Sequence, residues 1–152
     1  MEDEQPLLIK YLIYTSRPVD FNQKTINCIL VMSKRENAQR DITGSLICRP
    51  DRYLQYLEGP TNQIDAKYHK IRQDVRHIDI QLLAEGTRST RLFSEWAMRD
   101  DPLQSWMWSS QEIAAGVLDR LKPHEALDIF IHHAGAVKKT TTNHLNRSHG
   151  PS

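Results

Sequence analysis

The sequence predicts an α+β domain with two helices on one face of a sheet, and three observations carry that expectation. Short runs rich in Leu, Ile, Tyr and Thr alternate with two long segments of helical periodicity. Two of the strand-like runs, residues 42–48 and 53–57, flank the turn Arg49-Pro-Asp-Arg52 as a hairpin. The order along the chain reads β-α-β-β-α-β-β, and right-handed crossovers around a central hairpin give a ferredoxin-like arrangement. A length of 152 residues suits one core.

Each element has its own signal. Residues 7–15 are nearly continuously apolar, as in a strand covered on both faces. Pro18 closes a turn, and Asp20 with Gln23 resembles a capping box before Ile26, Ile29, Leu30 and Ser33, predicting a helix over 21–39. Gly59-Pro60 ends the third strand, and Thr61 or Asn62 is the expected cap of a second helix. Its stripe is Ile64, Tyr68, Ile71 and Val75, ending near Arg76. Ile78, Ile80 and Leu82 alternate with Asp79 and Gln81 as a half-buried strand, and residues 93–98 are the candidate fifth strand. Ser109 with Glu112 forms a capping box before Ile113, Val117 and Leu121. Leu127, Phe130, Ile131 and Ala134 make a second stripe after Pro123. These two C-terminal helices are expected to cover the opposite sheet face or to pair with a second subunit. The domain division expected is 1–102 for the sheet domain, 103–137 for the helical extension and 138–152 for a disordered tail, which is rich in Thr, Asn, His and Ser without periodicity.

Composition narrows the function. Hydrophobic residues at 39% and charged residues at 26% are globular values. Twenty basic against nineteen acidic residues leave +1, so no bulk field draws the molecule to nucleic acid or anionic lipid. No apolar run approaches the ~20 residues that cross a bilayer. The acidic start Met1-Glu-Asp-Glu-Gln-Pro6 is unlike a secretory signal, so the expected setting is cytoplasmic. Cys28 and Cys48, both in apolar periodic segments, are expected to be reduced core thiols. Nucleotide-binding glycine loops, a nucleophile elbow and a His-Glu-x-x-His zinc helix are absent. The seven histidines have no metal-ligand spacing, and the aromatic strand by which a ferredoxin-like sheet binds RNA is missing, so neither metal nor nucleic acid is expected.

Four residues stand out within the strand-like runs: Tyr14, Gln55, Trp96 and Met98. Gln55 is the informative one. A carboxamide inside Tyr-Leu-Gln-Tyr-Leu costs ~1–3 kcal/mol if buried without partners, so it either faces solvent on an edge or meets something polar. Taken singly, Tyr14, Trp96 and Met98 read equally well as core packing.

Taken together, the motifs resemble the BLUF family of blue-light sensors using FAD, over about residues 7–101. Tyr14-Thr-Ser16 is similar to the family's Tyr-x-Ser, and Asn37-Ala-Gln-Arg-Asp-Ile-Thr-Gly44 to its Asn leading into an Ile/Leu-Thr-Gly strand. Tyr53-Leu-Gln55-Tyr-Leu-Glu-Gly59 is similar to Phe-x-Gln-x-Leu-Glu-Gly. Asp74-Val-Arg76-His77 resembles Asp-x-Arg-His, and Phe93-Ser-Glu-Trp96-Ala-Met98 resembles Phe-x-x-Trp-x-Met. Glu36 before Asn37 and Tyr56 after Gln55 depart from the pattern, and the resemblance leaves the effect of each open.

The resemblance implies noncovalent FAD between the first two helices, with Asn37 at its pyrimidine edge and Tyr14 and Gln55 as the photoactive pair. Asp74, Arg76 and His77 match a motif near the polar side of the flavin. Whether their atoms touch cofactor or cap the helix stays open. On excitation Tyr14 is expected to give an electron and a proton, and their return to leave the Gln55 hydrogen bonds rearranged. Trp96 and Met98, taken to share strand parity, are the expected relay to the C-terminal helices, against the alternative of simple packing. The chain is thus expected to be a sensor and no enzyme, acting as a homo-oligomer on a separate effector such as a cyclic-dinucleotide phosphodiesterase or a response-regulator-like protein. The competing reading is a flavin-dependent ferredoxin-like redox enzyme, for which the sequence offers no nicotinamide fingerprint or redox cysteine pair.

Overall fold

A computed structural model describes residues 8–101 and 108–135. Its elements are β1 (Ile9–Pro18), α1 (Gln23–Gln39), β2 (Thr43–Cys48), β3 (Tyr53–Gly59), α2 (Thr61–Arg72), β4 (His77–Arg88), β5 (Arg99–Asp101) and α3 (Ser110–Ala114). A 3₁₀ turn (Val117–Arg120) follows, and residues 123–135 form a last helix, α4. The sheet order is β4-β1-β3-β2-β5, antiparallel throughout except for the β2–β5 pair. This is the ferredoxin-like α+β arrangement. The expected 102/103 boundary and the tail 138–152 lie outside the described residues.

Strand alternation gives the sheet two covered faces. Leu12, Tyr14, Leu46, Tyr53 and Leu57 point toward α1 and α2, where they meet Ile26, Leu30 and Ile64. Ile13, Ile47, Leu54 and Tyr56 point the other way, against Ala126, Phe130 and Ala134 of α4 and Phe93. Burying a side chain such as Phe130 contributes about 1.5–3 kcal/mol, so α4 belongs to the core of the fold.

Several sequence expectations are corrected. Helix α1 is capped by the Asn22 side chain, which accepts from the Thr25 N–H at 2.8 Å, so Asp20 lies outside the helix. Pro60, in place of Thr61 or Asn62, holds the N-cap position of α2 without a side-chain bond of its own, while the Asn62 side chain accepts the Gln63 N–H at 3.0 Å. The helix stops at Arg72, because Asp74 accepts the Arg76 backbone N–H at 2.9 Å and turns the chain. Val75 is therefore 84% exposed and is no part of the stripe.

Strand β4 carries two register shifts against β1, with Asp79 at φ 55°. Ile80 packs toward α1 and α2 as expected and Leu82 pairs opposite Tyr14, but Ile78 and Leu82 are exposed, while Leu83 and Ala84 are buried on the other face. Residues 93–98 are not a strand, and β5 begins only at Arg99.

The Ser109–Glu112 capping box is present. The helix it opens is short, broken by Gly116 at φ +88°, a conformation that glycine adopts readily. Helix α3 sits beside the β2–β3 turn, where Ile113 and Ala114 share a groove with Pro50 and Asp51, and the second face is covered by α4 together with Phe93, Trp108 and Leu121. Within α4, Ile131 is exposed. Of the two free cysteines, Cys28 is exposed and only Cys48 is partly buried. No helix among the described residues is long and apolar enough to cross a membrane.

Candidate functional site

Register places the central pair. Tyr14 of β1 lies directly opposite Gln55 of β3, and Gln55 in turn lies opposite Leu46 of β2, all on the face toward α1 and α2. The Tyr14 hydroxyl donates to Gln55 Oε1. At its other end the carboxamide donates from Nε2 to Met98 Sδ at 3.4 Å. Burial, then the negative charge of Asp74, pushes the Tyr14 phenol far above its ordinary range, so the hydroxyl keeps its proton and acts as donor. Gln55 is buried, which removes the reading of an edge glutamine in water.

Above this pair, between α1 and α2, lies a cavity of about 270 Å³. Ile29, Leu46 and Ile71 supply apolar walls, and Tyr14, Gln55, Tyr53 and Glu36 supply polar edges. Two wholly buried polar atoms near it have no partner: the Tyr53 hydroxyl and Oδ1 of Asn37, the residue after Glu36. An unmet group of this kind costs about 1–3 kcal/mol, which a planar ligand with polar edges would recover. Apolar walls with unmet polar atoms close by fit an isoalloxazine ring.

The Asp74-Arg76-His77 segment closes one end of the cavity. Arg76 Nε bonds Asp74 Oδ1 at 2.9 Å. Burial works against the Asp74 charge, but the Arg76 hydrogen bonds prevail and hold the carboxyl below the usual carboxylate range. His77 is committed at both nitrogens, to the Ser16 hydroxyl at 2.7 Å and the Ile71 carbonyl at 2.8 Å. Because a carbonyl only accepts, Nε2 carries a proton and donates to Ile71, while Nδ1 is paired with the Ser16 hydroxyl. His77 thus presents its ring rather than a free nitrogen to the cavity.

Asn37 reaches sideways as well. Its Nδ2 donates to the Ala97 carbonyl at 2.8 Å, and the Gly44 N–H donates to the Trp96 carbonyl at 3.0 Å. Gly44 must be glycine here, since a Cβ would lie 2.1 Å from the Tyr56 carbonyl oxygen. The segment carrying Trp96 and Met98 is therefore tied to the end of α1 and the start of β2. Met98 is fully buried against Gln55, whereas Trp96 is 47% exposed, so the two do not share an orientation.

Three contributors went unread in the sequence. Lys67 is buried on the apolar stripe of α2, three residues after Ile64, and pairs with Glu36 at 3.0 Å. That hydrogen bond holds the Glu36 carboxyl below its ordinary range, while burial lowers Lys67. A lysine on the stripe was the available signal. Tyr53 has the same strand parity as Gln55 and could have been found from that.

Glu58 is the third. Fully buried on the other sheet face, it accepts from the Leu92 and Phe93 N–H groups, each at 2.8 Å, from the Thr43 hydroxyl at 2.9 Å and from the Tyr56 hydroxyl at 3.1 Å. It anchors the start of the segment that ends in Met98. Tyr56 stands with it, its ring 5.6 Å from Phe130, and so faces away from the cavity.

Comparison with known proteins agrees with this geometry. Residues 9–99 match the family model described as sensors of blue-light using FAD. The photoactivated adenylate cyclase subunit beta of Euglena gracilis is 32% identical over 91 residues, covering 59% of this chain and 10% of that protein. The blue light- and temperature-regulated antirepressor BluF of Escherichia coli K12 is 33% identical over 108 residues, covering 64% of this chain and 27% of that one. This chain therefore spans a minor part of these relatives. Among solved structures, the photo-activated state of BlsA superposes with a TM-score of 0.69 at 21% identity, over 83% of this chain and 94% of that one, a likeness of fold. A bacterial light-regulated adenylyl cyclase gives 0.61 at 26% identity, over 86% of this chain and 36% of that one. With a cavity between α1 and α2, a tyrosine and glutamine joined at its floor, and a family model spanning residues 9–99, the chain belongs to the BLUF family of blue-light sensors that use FAD.

Proposed function

We propose that this chain senses blue light through the Tyr14–Gln55 pair and passes the change to a separate effector along the segment ending in Met98. The observation that carries the reading is the buried carboxamide of Gln55, bonded at one end to a phenol and at the other to the Met98 sulfur. FAD, when bound, supplies the absorption of blue light and an acceptor for an electron.

The protein's own part is proton placement. Tyr14 holds a proton at its hydroxyl, facing Gln55 Oε1. Movement of that proton to Oε1 and back lets the carboxamide settle with donor and acceptor ends exchanged, by rotation or tautomerisation. Any exchange alters what Gln55 offers to Met98, and Met98 is held by the same segment that Asn37 and Gly44 grip. Asn37, Asp74, Arg76 and His77 form the cofactor-binding set, the last three by shaping the cavity end.

Under this reading residues 1–102 are the sensor, and 103–137 the extension that receives its signal. Relatives named as a light-regulated adenylyl cyclase and an antirepressor support effector control as the output. For this chain the proposed partner is a separate protein of the cyclic-dinucleotide phosphodiesterase or response-regulator-like kind, met by a homo-oligomer in a cytoplasmic setting, with which two free cysteines agree.

The test is optical. Blue light is expected to move the absorption band of the purified yellow protein to longer wavelength, and darkness to restore it, without bleaching. Met98→Ala should keep that shift but lose the light-driven change in hydrogen exchange of residues 110–135. A colourless protein that takes up no FAD, or a band that bleaches with turnover of a reductant, contradicts the sensor reading. Unchanged exchange behaviour in Met98→Ala contradicts the relay.

A further inference from the structure

Arg49, the residue after β2, carries a charge and is nevertheless only 2% exposed. A guanidinium held out of water needs a counter-charge and acceptors for its N–H groups. Asp51, in the same turn, accepts from Nε at 2.8 Å and from Nη2 at 3.1 Å in a fork. The remaining bond leaves the hairpin. Nη1 donates to the Trp108 carbonyl at 2.9 Å, across 59 residues of chain.

The acceptor stands at a junction. Asp101 ends β5 opposite Ile47 of β2, and Trp108, gripped by Arg49 just beyond Ile47, directly precedes Ser109, the cap of α3. The chain is therefore tied to the end of β2 both where β5 stops and where α3 begins. That strand also borders the switch. Leu46 lies opposite Gln55 on one side and opposite Asp100 on the other, and β5 follows directly on Met98. Packing at the junction is incomplete, since a hollow of about 330 Å³ lies among Pro50, Asp51, Ser110 and Ala114. A charge-assisted, directional bond is what fixes the start of α3 there.

We propose that Arg49 is a positioning residue of the light response: it latches the start of α3 to the end of β2 while Gln55 is bonded to Met98, and lets go when that bond is exchanged. The proposal rests on the reading of Met98 as relay and adds the joint at which the relay reaches the extension. One guanidinium holds the hairpin turn through Asp51 and the extension through Trp108. A displacement of β5 against β2 therefore stretches or tilts the Trp108 bond, and such bonds weaken steeply as their geometry departs from linear. Coupling of this kind is reciprocal, so a chain without the latch is less biased toward the arrangement in which Gln55 meets Met98.

Hydrogen exchange and dark recovery of the FAD-loaded full-length chain test this. Methionine keeps a long flexible side chain without the charge, and the Asp51 left behind is 27% exposed and can meet water. Arg49→Met is expected to keep the absorption shift. Exchange over residues 108–114 should rise in darkness by about fivefold or more, to the level that light produces in the wild type, with no further rise on illumination. The shift should also decay about threefold more slowly, a change that a side chain serving only to hold α3 would not cause. Arg49→Lys, whose ammonium cannot fork between Asp51 and Trp108, should fall between the two and decides the matter if Arg49→Met does not fold. A wild-type light response over 108–114 in these variants, or recovery at the wild-type rate, overturns the latch. If Met98→Ala abolishes that response, the relay stands without it. A wild-type chain whose exchange over 108–135 ignores light overturns both.

Discussion

Gln55→Leu is expected to bind FAD and to lose the light-induced absorption shift entirely. Leucine fills nearly the same volume in a row flanked by Tyr14 and Leu46, so the sheet should form as before. What disappears is every donor and acceptor that the carboxamide presents to the Tyr14 hydroxyl and to Met98. The buried phenol loses its acceptor, at a cost of about 1–3 kcal/mol that ring binding need not share. Tyr14→Phe approaches from the other side: it keeps the ring and the amide but removes the proton that Oε1 receives. It too should retain flavin and show no shift. Light-minus-dark absorption of each loaded variant checks this, and a normal shifted state in either one would mean that the pair does not form the switch.

Glu58→Ala should have the largest effect on stability, about 3 kcal/mol, and lower the melting temperature by about 6–12 °C. The reasoning starts from acceptor capacity. A carboxylate offers about four lone-pair positions. Here two backbone N–H groups and two hydroxyls use them within a fully buried site. Alanine leaves those donors unmet and opens a void beside Tyr56 and Phe93, which stack edge to face 5.5 Å apart. Arg91, held to Thr43 at 2.9 Å and to the Asp41 carbonyl at 2.9 Å, limits the damage by keeping its own stretch of chain in place. Glu58→Gln separates charge and shape. It keeps the volume but turns an NH₂ group toward donors, so it should fall between wild type and alanine in thermal unfolding. A melting temperature within about 2 °C of wild type for Glu58→Ala would show that the carboxylate does not hold the 91–98 segment.

Much of the fold was legible because local signals and burial agreed. The Arg49–Arg52 turn closes the β2–β3 hairpin as expected, its Arg49 N–H donating to the Arg52 carbonyl at 2.9 Å. What could not be read was the 2%-exposed Arg49 side chain, which also donates to the Trp108 carbonyl at 2.9 Å, fifty-nine residues on. Tyr14 and Gln55 were each ambiguous alone; the family resemblance paired them, and cross-strand register supplies the physical reason.

The misreadings share a cause in backbone geometry that overrides side-chain periodicity. Val75 fits a helical stripe, but the Asp74 carboxylate offers its neighbour's N–H a turn instead. Ile78 fits strand alternation, but Asp79 at φ 55° interrupts the pairing beside it, and Leu82, though opposite Tyr14, stands on an edge strand and is exposed. Residues 93–98 carry strand-like side chains, yet much of their anchoring runs to the Glu58 carboxylate, the Asn37 amide and the Gly44 N–H instead of to a ladder. Trp96 is consequently outside and Met98 inside. Glu58 stood within a recognised motif, but its backbone partners, the Leu92 and Phe93 N–H groups, lie more than thirty residues away.

The most direct test of the switch is a light-minus-dark infrared difference spectrum of the FAD-loaded protein carrying isotope-labelled glutamine side chains. A carboxamide that exchanges its donor and acceptor ends should give difference bands that move with the label and vanish in Gln55→Leu. An absorption shift in the wild type with no label-sensitive band would place the change outside Gln55 and contradict the account.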